Sequence, residues 1–189
     1  SDDDPAEADR DAASEAESVM ALAGIAPGMR VADIGAGAGY YTVRLSPIVG
    51  RKGRVLGEDI DPVAIEKLGV RVQRERLDNV SIRLGDAVDP KLPAGSFDRV
   101  LLMHMYHEVS EPYAFLWYLR AGLKPGGRVV VVDSDSAGHG LAPARLFCEF
   151  SAVGYRLGEF VRKPEIKGYY ASFEAVGARP EPGAIKPCR

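Results

Sequence analysis

The sequence lacks long apolar segments and any concentration of basic residues. None of its apolar runs approaches the ~20 residues that a helix needs to span a bilayer. Its 24 Lys and Arg residues are outnumbered by 27 Asp and Glu residues, which gives a formal net charge of −3. The basic residues are scattered and form no stripe that could neutralise a row of phosphates. A membrane span is therefore excluded, and a nucleic-acid partner is not expected.

Cysteine is also scarce. The two cysteines, Cys148 and Cys188, form no CxxC pair, so a zinc site or a redox motif is not expected. Cys148 lies in an apolar helical stretch and Cys188 is next to last, and the sequence leaves open whether they are free or bonded to each other. The chain begins at Ser1 without a methionine and shows no signal peptide. We expect a cytoplasmic protein, with a removed N-terminal signal left open.

The 189 residues are about one domain's worth, and 46% of them are apolar, as in ordinary soluble globular proteins. Residues 1–11 carry six acidic side chains and are expected to be a flexible acidic head. A single domain then covers residues 12–175 and starts with an N-terminal helix over 12–23. The tail, residues 176–189, holds three prolines and is expected to be irregular.

Strand-like and helix-like segments alternate through most of the domain. Five strands are predicted over 30–34, 53–59, 80–84, 97–103 and 127–133, with helices over 40–49, 61–77, 112–122 and 143–153. This alternation predicts an α/β fold with a mostly parallel sheet that is covered on both faces. The last two strand-like runs, 155–161 and 167–173, are joined by a short turn, so we expect them to be antiparallel.

A glycine-rich loop follows the first predicted strand. Gly35, Gly37 and Gly39 have the spacing GxGxG, and Tyr40 stands where the dinucleotide pattern GxGxxG requires glycine. Asp33 also disfavours a pyrophosphate, since a carboxylate about 5 Å from a phosphate charge costs roughly 3 kcal/mol at an effective dielectric near 20. A ligand that carries an ammonium group would be stabilised there. Taken alone, Asp33 would be interpreted as a cap or turn former.

Acidic residues also follow the second and third predicted strands. Asp59, 20 residues after Gly39, is placed to accept hydrogen bonds from ribose hydroxyls, and Glu58 is the rival for that contact. Ile60 follows Asp59 and can cover an adenine face. Asp86 can accept a hydrogen bond from an exocyclic adenine amine, or it is a simple turn aspartate. Each signal alone is weak, but together they predict a nucleoside site.

These motifs resemble those of the class I S-adenosylmethionine-dependent methyltransferases. The resemblance runs from Ala26 to Phe173 through VADIGAGAGYYT, VLGEDIDP, LGDA, SFDRVLLMHMYHEV and LKPGGRVVVVD. It is closest in character to the small-molecule branch that includes the ubiquinone and menaquinone C-methyltransferases. It implies a single-domain Rossmann-like sheet of seven strands in the order 3-2-1-4-5-7-6, with strand 7 antiparallel. It also implies S-adenosylmethionine as cofactor and a small-molecule acceptor methylated by in-line transfer.

The resemblance further assigns cofactor contacts to residues of this chain. The methionine part would lie against Asp33 and the glycines of the loop, and the ribose against Asp59. The adenine would lie against Ile60, Asp86 and Ala87, and the backbone of His104 would meet the amino group of the cofactor.

Candidate catalytic residues follow the fourth predicted strand: His107, His104 and Tyr106. A base is needed only if the acceptor loses a proton, and His107 could be such a base if a nearby acid orients it. The alternative is that Tyr106, His107 and Glu108 only start the next helix. A metal site built from Asp133, Asp135, His139 and a strand-four histidine is possible, but no ligand spacing requires it, and no metal is expected.

Two other functions stay open on the sequence alone. The first is a non-catalytic module that binds S-adenosylmethionine, because the catalytic signal is weak. The second, which Asp33 and the failed GxGxxG pattern disfavour, is a nicotinamide-dependent oxidoreductase. The acceptor, the methylated atom and the oligomeric state are not determined by the sequence.

Overall fold

The computed structural model describes residues 5–189 and contains a seven-stranded sheet with helices on both faces. The strands are β1 (Arg30–Ile34), β2 (Arg54–Asp59), β3 (Val80–Leu84), β4 (Phe97–Met103), β5 (Leu123–Asp133), β6 (Tyr155–Lys163) and β7 (Gly168–Ala175). The helices are α1 (Pro5–Ala12), α2 (Glu15–Leu22), α3 (Tyr40–Val49), α4 (Pro62–Arg74), α5 (Pro112–Ala121) and α6 (Pro143–Ala152). No helix within residues 5–189 is long and apolar enough to cross a membrane.

The strand order is β3-β2-β1-β4-β5-β7-β6, which confirms the predicted topology. Strands β1 to β5 pair in parallel, and β7 is antiparallel to both β5 and β6. The short turn Pro164–Ile166 between β6 and β7 allows only a hairpin. Between β1 and β4 the strand order reverses, and the carboxyl ends of the neighbouring strands form a crevice there.

The central strands are apolar on both faces because helices cover both. In β5, Val129 and Val131 pack into one core cluster, and Val130 and Val132 pack into the other. All four side chains are fully buried. This packing explains why these strands appear in the sequence as continuous apolar runs.

The expected flexible head is helical from Pro5 onward, which corrects that prediction; Asp2, Asp3 and Asp4 lie outside the described residues. In α1, Glu7 is buried and its Oε1 lies 2.6 Å from Nη1 of Arg71. The predicted helix over 12–23 is broken at Ser14, whose φ of 51° separates α1 from α2. The acidic composition suggested a solvated segment because the sequence does not show which charges find a partner in the fold.

The proline-rich tail, residues 176–189, is irregular apart from a single 3₁₀ turn, Pro182–Ala184. It is nevertheless held against α5 and α6. Trp117 donates from Nε1 to the Pro180 carbonyl at 2.9 Å, and a disulfide joins Cys148 to Cys188. The pairing of the two cysteines, which the sequence left open, is thereby settled.

Candidate active site

The glycines of the loop after β1 differ in what surrounds them. Gly37 has a φ of 56°, and a side chain at its position would meet nothing within 4 Å, so the loop backbone faces open space there. A Cβ on Gly39 would instead lie 2.5 Å from Cδ1 of Leu68 in α4. Gly39 is therefore required by packing, whereas Gly37 leaves room for another molecule to approach the backbone.

Asp59 at the end of β2 is tied to this loop. Its Oδ2 accepts a hydrogen bond from the Gly37 amide at 2.8 Å, and its Oδ1 accepts one from the Asp61 amide at 3.0 Å. Since an ionised carboxylate has about four acceptor positions, it can still receive ligand donors. Ile60, directly after it, is 57% exposed. A polar acceptor and an apolar surface thus stand side by side at the edge of the crevice.

Asp33 lies beneath the loop. It is 2% exposed, and its Oδ2 accepts a hydrogen bond from Oγ1 of Thr42 at 2.7 Å. Burial raises the pKa of Asp33 to about 6, although the Thr42 hydrogen bond opposes the shift. In this arrangement the carboxylate holds the start of α3 against the end of β1, and it does not line the open side of the loop.

Glu58, the alternative candidate for the ribose contact, points into the protein interior. It is 1% exposed, and its Oε1 has no hydrogen-bond partner in the part of the chain that the structure describes. Burial, with a further contribution from Asp59 and Asp33, raises the pKa of Glu58 to about 8. The sequence placed Glu58 at this edge but could not reveal that its carboxyl is buried and incompletely bonded.

The segment after β3 is exposed. Oδ1 of Asp86 accepts a hydrogen bond from the Val88 amide at 2.9 Å, which is the geometry of a simple turn aspartate. Backbone amides lower the pKa of Asp86. Ala87 beside it is exposed. These two residues stand at the edge of the sheet where β2 and β3 end.

His107 pairs with a buried carboxylate at the end of β5. Its Nδ1 lies 2.8 Å from Oδ1 of Asp133, and its backbone amide donates to Oδ2 of the same residue at 3.1 Å. Asp133 is 1% exposed. Because an ionised carboxylate only accepts hydrogen bonds, Nδ1 carries the proton and Nε2 is left as the basic nitrogen. The acid that the sequence required near His107 is therefore present.

His104 is held by a carboxylate from α2. Its Nε2 lies 2.8 Å from Oε1 of Glu15, which also accepts from the Tyr41 hydroxyl at 2.8 Å and from Nη2 of Arg10 at 2.8 Å. Burial alone would raise the pKa of Glu15, but the hydrogen bonds from His104 and Arg10 outweigh it and lower the pKa to about 2. Sequence reasoning missed Glu15 and Arg10 because nothing local marks them as partners of His104.

A cavity of about 450 Å³ opens beside this cluster. Arg10, Glu15 and His104 line it from one side, and residues 165–167 of the β6–β7 turn line it from the other. It lies next to the end of β4, on the same rim as the glycine loop. A small molecule bound there would contact both cationic and anionic side chains.

Tyr106 does not reach the rim, which corrects its place among the catalytic candidates. It is buried against Phe115 and Phe150, and its hydroxyl donates to Oε2 of Glu149 at 2.9 Å. Burial raises the pKa of this hydroxyl well above its ordinary range. The side chain belongs to the core, and its alternation with His107 along a short 3₁₀ turn explains why one points inward and the other outward.

The possible metal ligands are occupied by other partners. Asp133 bonds to His107, and Asp135 forms an ion pair with Arg162. His139 is exposed in the loop after β5. Within residues 5–189, no group of three or more His, Cys, Asp or Glu side chains is arranged to hold a metal ion.

Comparison with known proteins agrees with this geometry. The profile of a family described as "Methyltransferase domain" matches residues 31–127. A ubiquinone/menaquinone biosynthesis C-methyltransferase, UbiE, from Shewanella sp. (strain ANA-3) is 28% identical over 167 residues, which is 87% of this chain. The chain spans 66% of the length of that relative, just under two thirds.

Solved structures share the fold. A SAM-dependent methyltransferase from Aquifex aeolicus is 27% identical with a TM-score of 0.81, over 92% of this chain and 95% of that one. The geranyl diphosphate C-methyltransferase from Streptomyces coelicolor A3(2), solved with S-adenosyl-L-homocysteine, is 15% identical with a TM-score of 0.73, over 87% of this chain and 79% of that one. The second likeness concerns the fold alone.

Proposed function

The chain belongs to the methyltransferase-domain family, within the class I S-adenosylmethionine-dependent methyltransferases, and from this premise we propose that it methylates a small-molecule acceptor by in-line transfer. Two relatives support the small-molecule acceptor by their names, which refer to ubiquinone or menaquinone biosynthesis and to geranyl diphosphate. We further propose that His107, oriented by Asp133, is the general base when the acceptor must lose a proton.

The residues at the crevice fit S-adenosylmethionine. The open backbone at Gly37 suits the methionine part, and the acceptor positions left on Asp59 suit the ribose hydroxyls. The exposed side chain of Ile60 suits one face of the adenine, and Asp86 and Ala87 stand at the same edge. Asp33 and Gly39 would act indirectly, since both hold the loop in place from behind.

The pairing of His107 with Asp133 is the observation that carries the catalytic assignment. Asp133 is bonded to both the ring and the backbone amide of His107, so the imidazole is fixed in one tautomer and one orientation. Within residues 5–189 its Nε2 makes no hydrogen bond, and Oε1 of Glu108 lies 3.9 Å from it. A fixed imidazole with an available basic nitrogen is what proton removal requires.

The proposed chemistry divides between the chain and its cofactor. When bound, S-adenosylmethionine supplies the electrophilic methyl group. The chain's own residues orient the acceptor, and holding nucleophile and methyl in line can supply roughly 7–11 kcal/mol of the barrier. The acceptor proton passes to Nε2 of His107, and Asp133 stabilises the imidazolium that results. His104, bonded to Glu15, is proposed to shape the adjoining cavity.

The test compares His107→Asn with His139→Ala in single-turnover methyl transfer at saturating S-adenosylmethionine, using acceptors found by screening small molecules for turnover. Asparagine can still donate to Asp133 but has no basic nitrogen. We expect the His107→Asn rate to fall by about a hundredfold to ten-thousandfold, and the His139→Ala rate to stay near wild type.

Two outcomes would contradict the proposal. A His107→Asn rate within about threefold of wild type, well under 1 kcal/mol in barrier, would mean that His107 is not a base. Binding of S-adenosylmethionine without turnover of any acceptor would favour a non-catalytic binding module. Melting temperatures of both variants check that the fold is retained.

A further inference from the structure

The end of β2 carries a carboxyl group that the cofactor contacts proposed above do not use. Glu58 is almost completely buried, and no described residue donates a hydrogen bond to its Oε1. The Glu58 carbonyl accepts from the Ala36 amide at 2.8 Å, and the nearby Gly35 amide favours the ionised form of the carboxyl group and so opposes the rise in its pKa. Glu58 therefore lies directly under the first turn of the glycine loop.

Gly85, which has no side chain, leaves room for the Glu58 carboxyl group. A side chain on Gly85, just after β3, would overlap with Oε1 of Glu58. The carboxyl thus fills the space between the end of β1 and the end of β3. A buried acceptor without a partner destabilises a fold by about 1–3 kcal/mol, so this arrangement is costly for stability alone.

The charges that face Glu58 give no compensation. Asp33 on β1 and Asp59 on β2 both disfavour its ionised form. Arg83 on β3 is its neighbour in register, but the Arg83 guanidinium donates to the Lys91 carbonyl. The ends of two adjacent strands therefore place three carboxyl groups beside the loop. Asp33 and Glu58 are both buried, and within residues 5–189 Glu58 forms no ion pair.

We propose that Glu58 is a positioning residue that sets the charge preference of the cofactor site: it holds the glycine loop and favours the sulfonium form of the cofactor over the uncharged thioether product. The inference rests on the cofactor site proposed above. The ligand chemistry is specific, because S-adenosylmethionine and S-adenosylhomocysteine differ by a methyl group and one positive charge at sulfur.

The interaction between the Glu58 carboxyl group and the positive charge of the cofactor also predicts a release of protons. Burial raises the pKa of Glu58 to about 8. The carboxyl group is therefore mostly protonated at pH 7 when no positively charged ligand is bound. A bound sulfonium favours the ionised form. With a roughly tenfold preference of the bound sulfonium for the ionised form, binding of S-adenosylmethionine at pH 7 should release about 0.4 proton, and binding of S-adenosylhomocysteine should release less.

The test uses Glu58→Gln, which keeps the size and a side-chain oxygen but cannot ionise. Calorimetry at pH 7 and at pH 9 with each ligand, in two buffers of different ionisation enthalpy, gives both affinities and the protons released. At pH 9, above the pKa of Glu58, we expect the ratio of affinities, S-adenosylmethionine over S-adenosylhomocysteine, to fall about tenfold in the variant, and at pH 7 it should fall about twofold. At an effective dielectric near 20, two unit charges about 10 Å apart interact with roughly the strength of the tenfold effect. Proton release should disappear.

Glu149→Gln is the matched control, because Glu149 is also a buried carboxylate but lies in α6 and bonds to Arg145 and Tyr106. It should lower stability and leave the affinity ratio unchanged. Equal changes in both affinities on Glu58→Gln would reduce Glu58 to a structural role and overturn this inference alone. Failure of the wild-type protein to bind either ligand would overturn the cofactor assignment together with it.

Discussion

Single residues of the glycine loop illustrate how one residue type serves different physical needs. Gly37 combines a left-handed backbone with open space around its Cα, whereas Gly39 is fixed by contact with Leu68. A substitution at Gly39 would therefore disturb the packing of α4. A substitution at Gly37 would mainly fill the space above the loop backbone.

We expect Gly37→Val to abolish binding of S-adenosylmethionine, because the new side chain occupies the space into which the ligand must come. The matched control is Gly95→Val, since Gly95 has the same φ of 56° and equally open surroundings, in the turn before β4. Both variants should lose similar stability from backbone strain, about 1–3 kcal/mol. Calorimetric titration with cofactor decides: wild-type affinity in Gly37→Val would exclude the loop from the site.

At the scale of elements, α1 and α2 are joined to the rim by charged side chains. Glu7 of α1 binds Arg71 of α4, and Arg71 also donates to the Ala38 carbonyl in the glycine loop at 3.1 Å. Glu15 of α2 joins His104 after β4 to Arg10 and Tyr41. These short helices are thus part of the site's support, although neither is long enough to be stable alone.

Glu15→Gln should destabilise the protein and change its response to acid. The pKa of Glu15 is lowered to about 2, so its contribution is fully present above its ordinary value of 4.5 and is lost as pH falls from about 4.5 to 2. At neutral pH the variant should lose about 3 kcal/mol of unfolding free energy, at roughly 1.4 kcal/mol per pKa unit.

Urea denaturation at pH 7 and at pH 3 measures this contribution to stability. The difference between wild type and Glu15→Gln should shrink at pH 3. Glu17→Gln, an exposed position on the same helix, is the control and should behave like wild type at both pH values. An equal difference at the two pH values would mean that the Glu15 hydrogen bonds are not what lowers its pKa.

At the scale of the whole molecule, the C-terminal tail, residues 176–189, packs against α5 and α6. Arg120 is buried and donates to the carbonyls of Val153, Gly154, Val176 and Gly177. The disulfide between Cys148 and Cys188 fixes the end of the tail to α6. The C-terminal tail is thereby bound to the same body that carries the site.

Reduction of the disulfide should lower the unfolding free energy by about 3–4 kcal/mol, because the bond closes a loop across a sequence separation of 40 residues. Denaturant midpoints with and without a thiol reductant measure the change. Cys188→Ser should match the reduced wild type and should not respond to the reductant. If the midpoints of oxidised and reduced protein coincide, the tail contributes nothing to global stability.

The sequence by itself determined the alternation of strands and helices and the glycine loop, and the strand order followed only from its resemblance to a known family. The bounds of α3 and β4, the antiparallel β7 and the glycine loop at the end of β1 follow from patterns that are local in the chain. Such patterns are readable because apolar periodicity and turn residues act over a few neighbouring positions. Asp59, beside the loop at the end of the next strand, was found in the same way.

Only the tertiary structure decided how the polar side chains are paired. His107 meets Asp133 across 26 positions, and His104 meets Glu15 across 89. Glu58 is buried, and its Oε1 has no hydrogen-bond partner among the described residues. The helical α1 and the burial of Tyr106 depend equally on distant residues. The strength of a charge or a hydrogen bond depends on burial and on its partner, and both are fixed only when distant segments pack together.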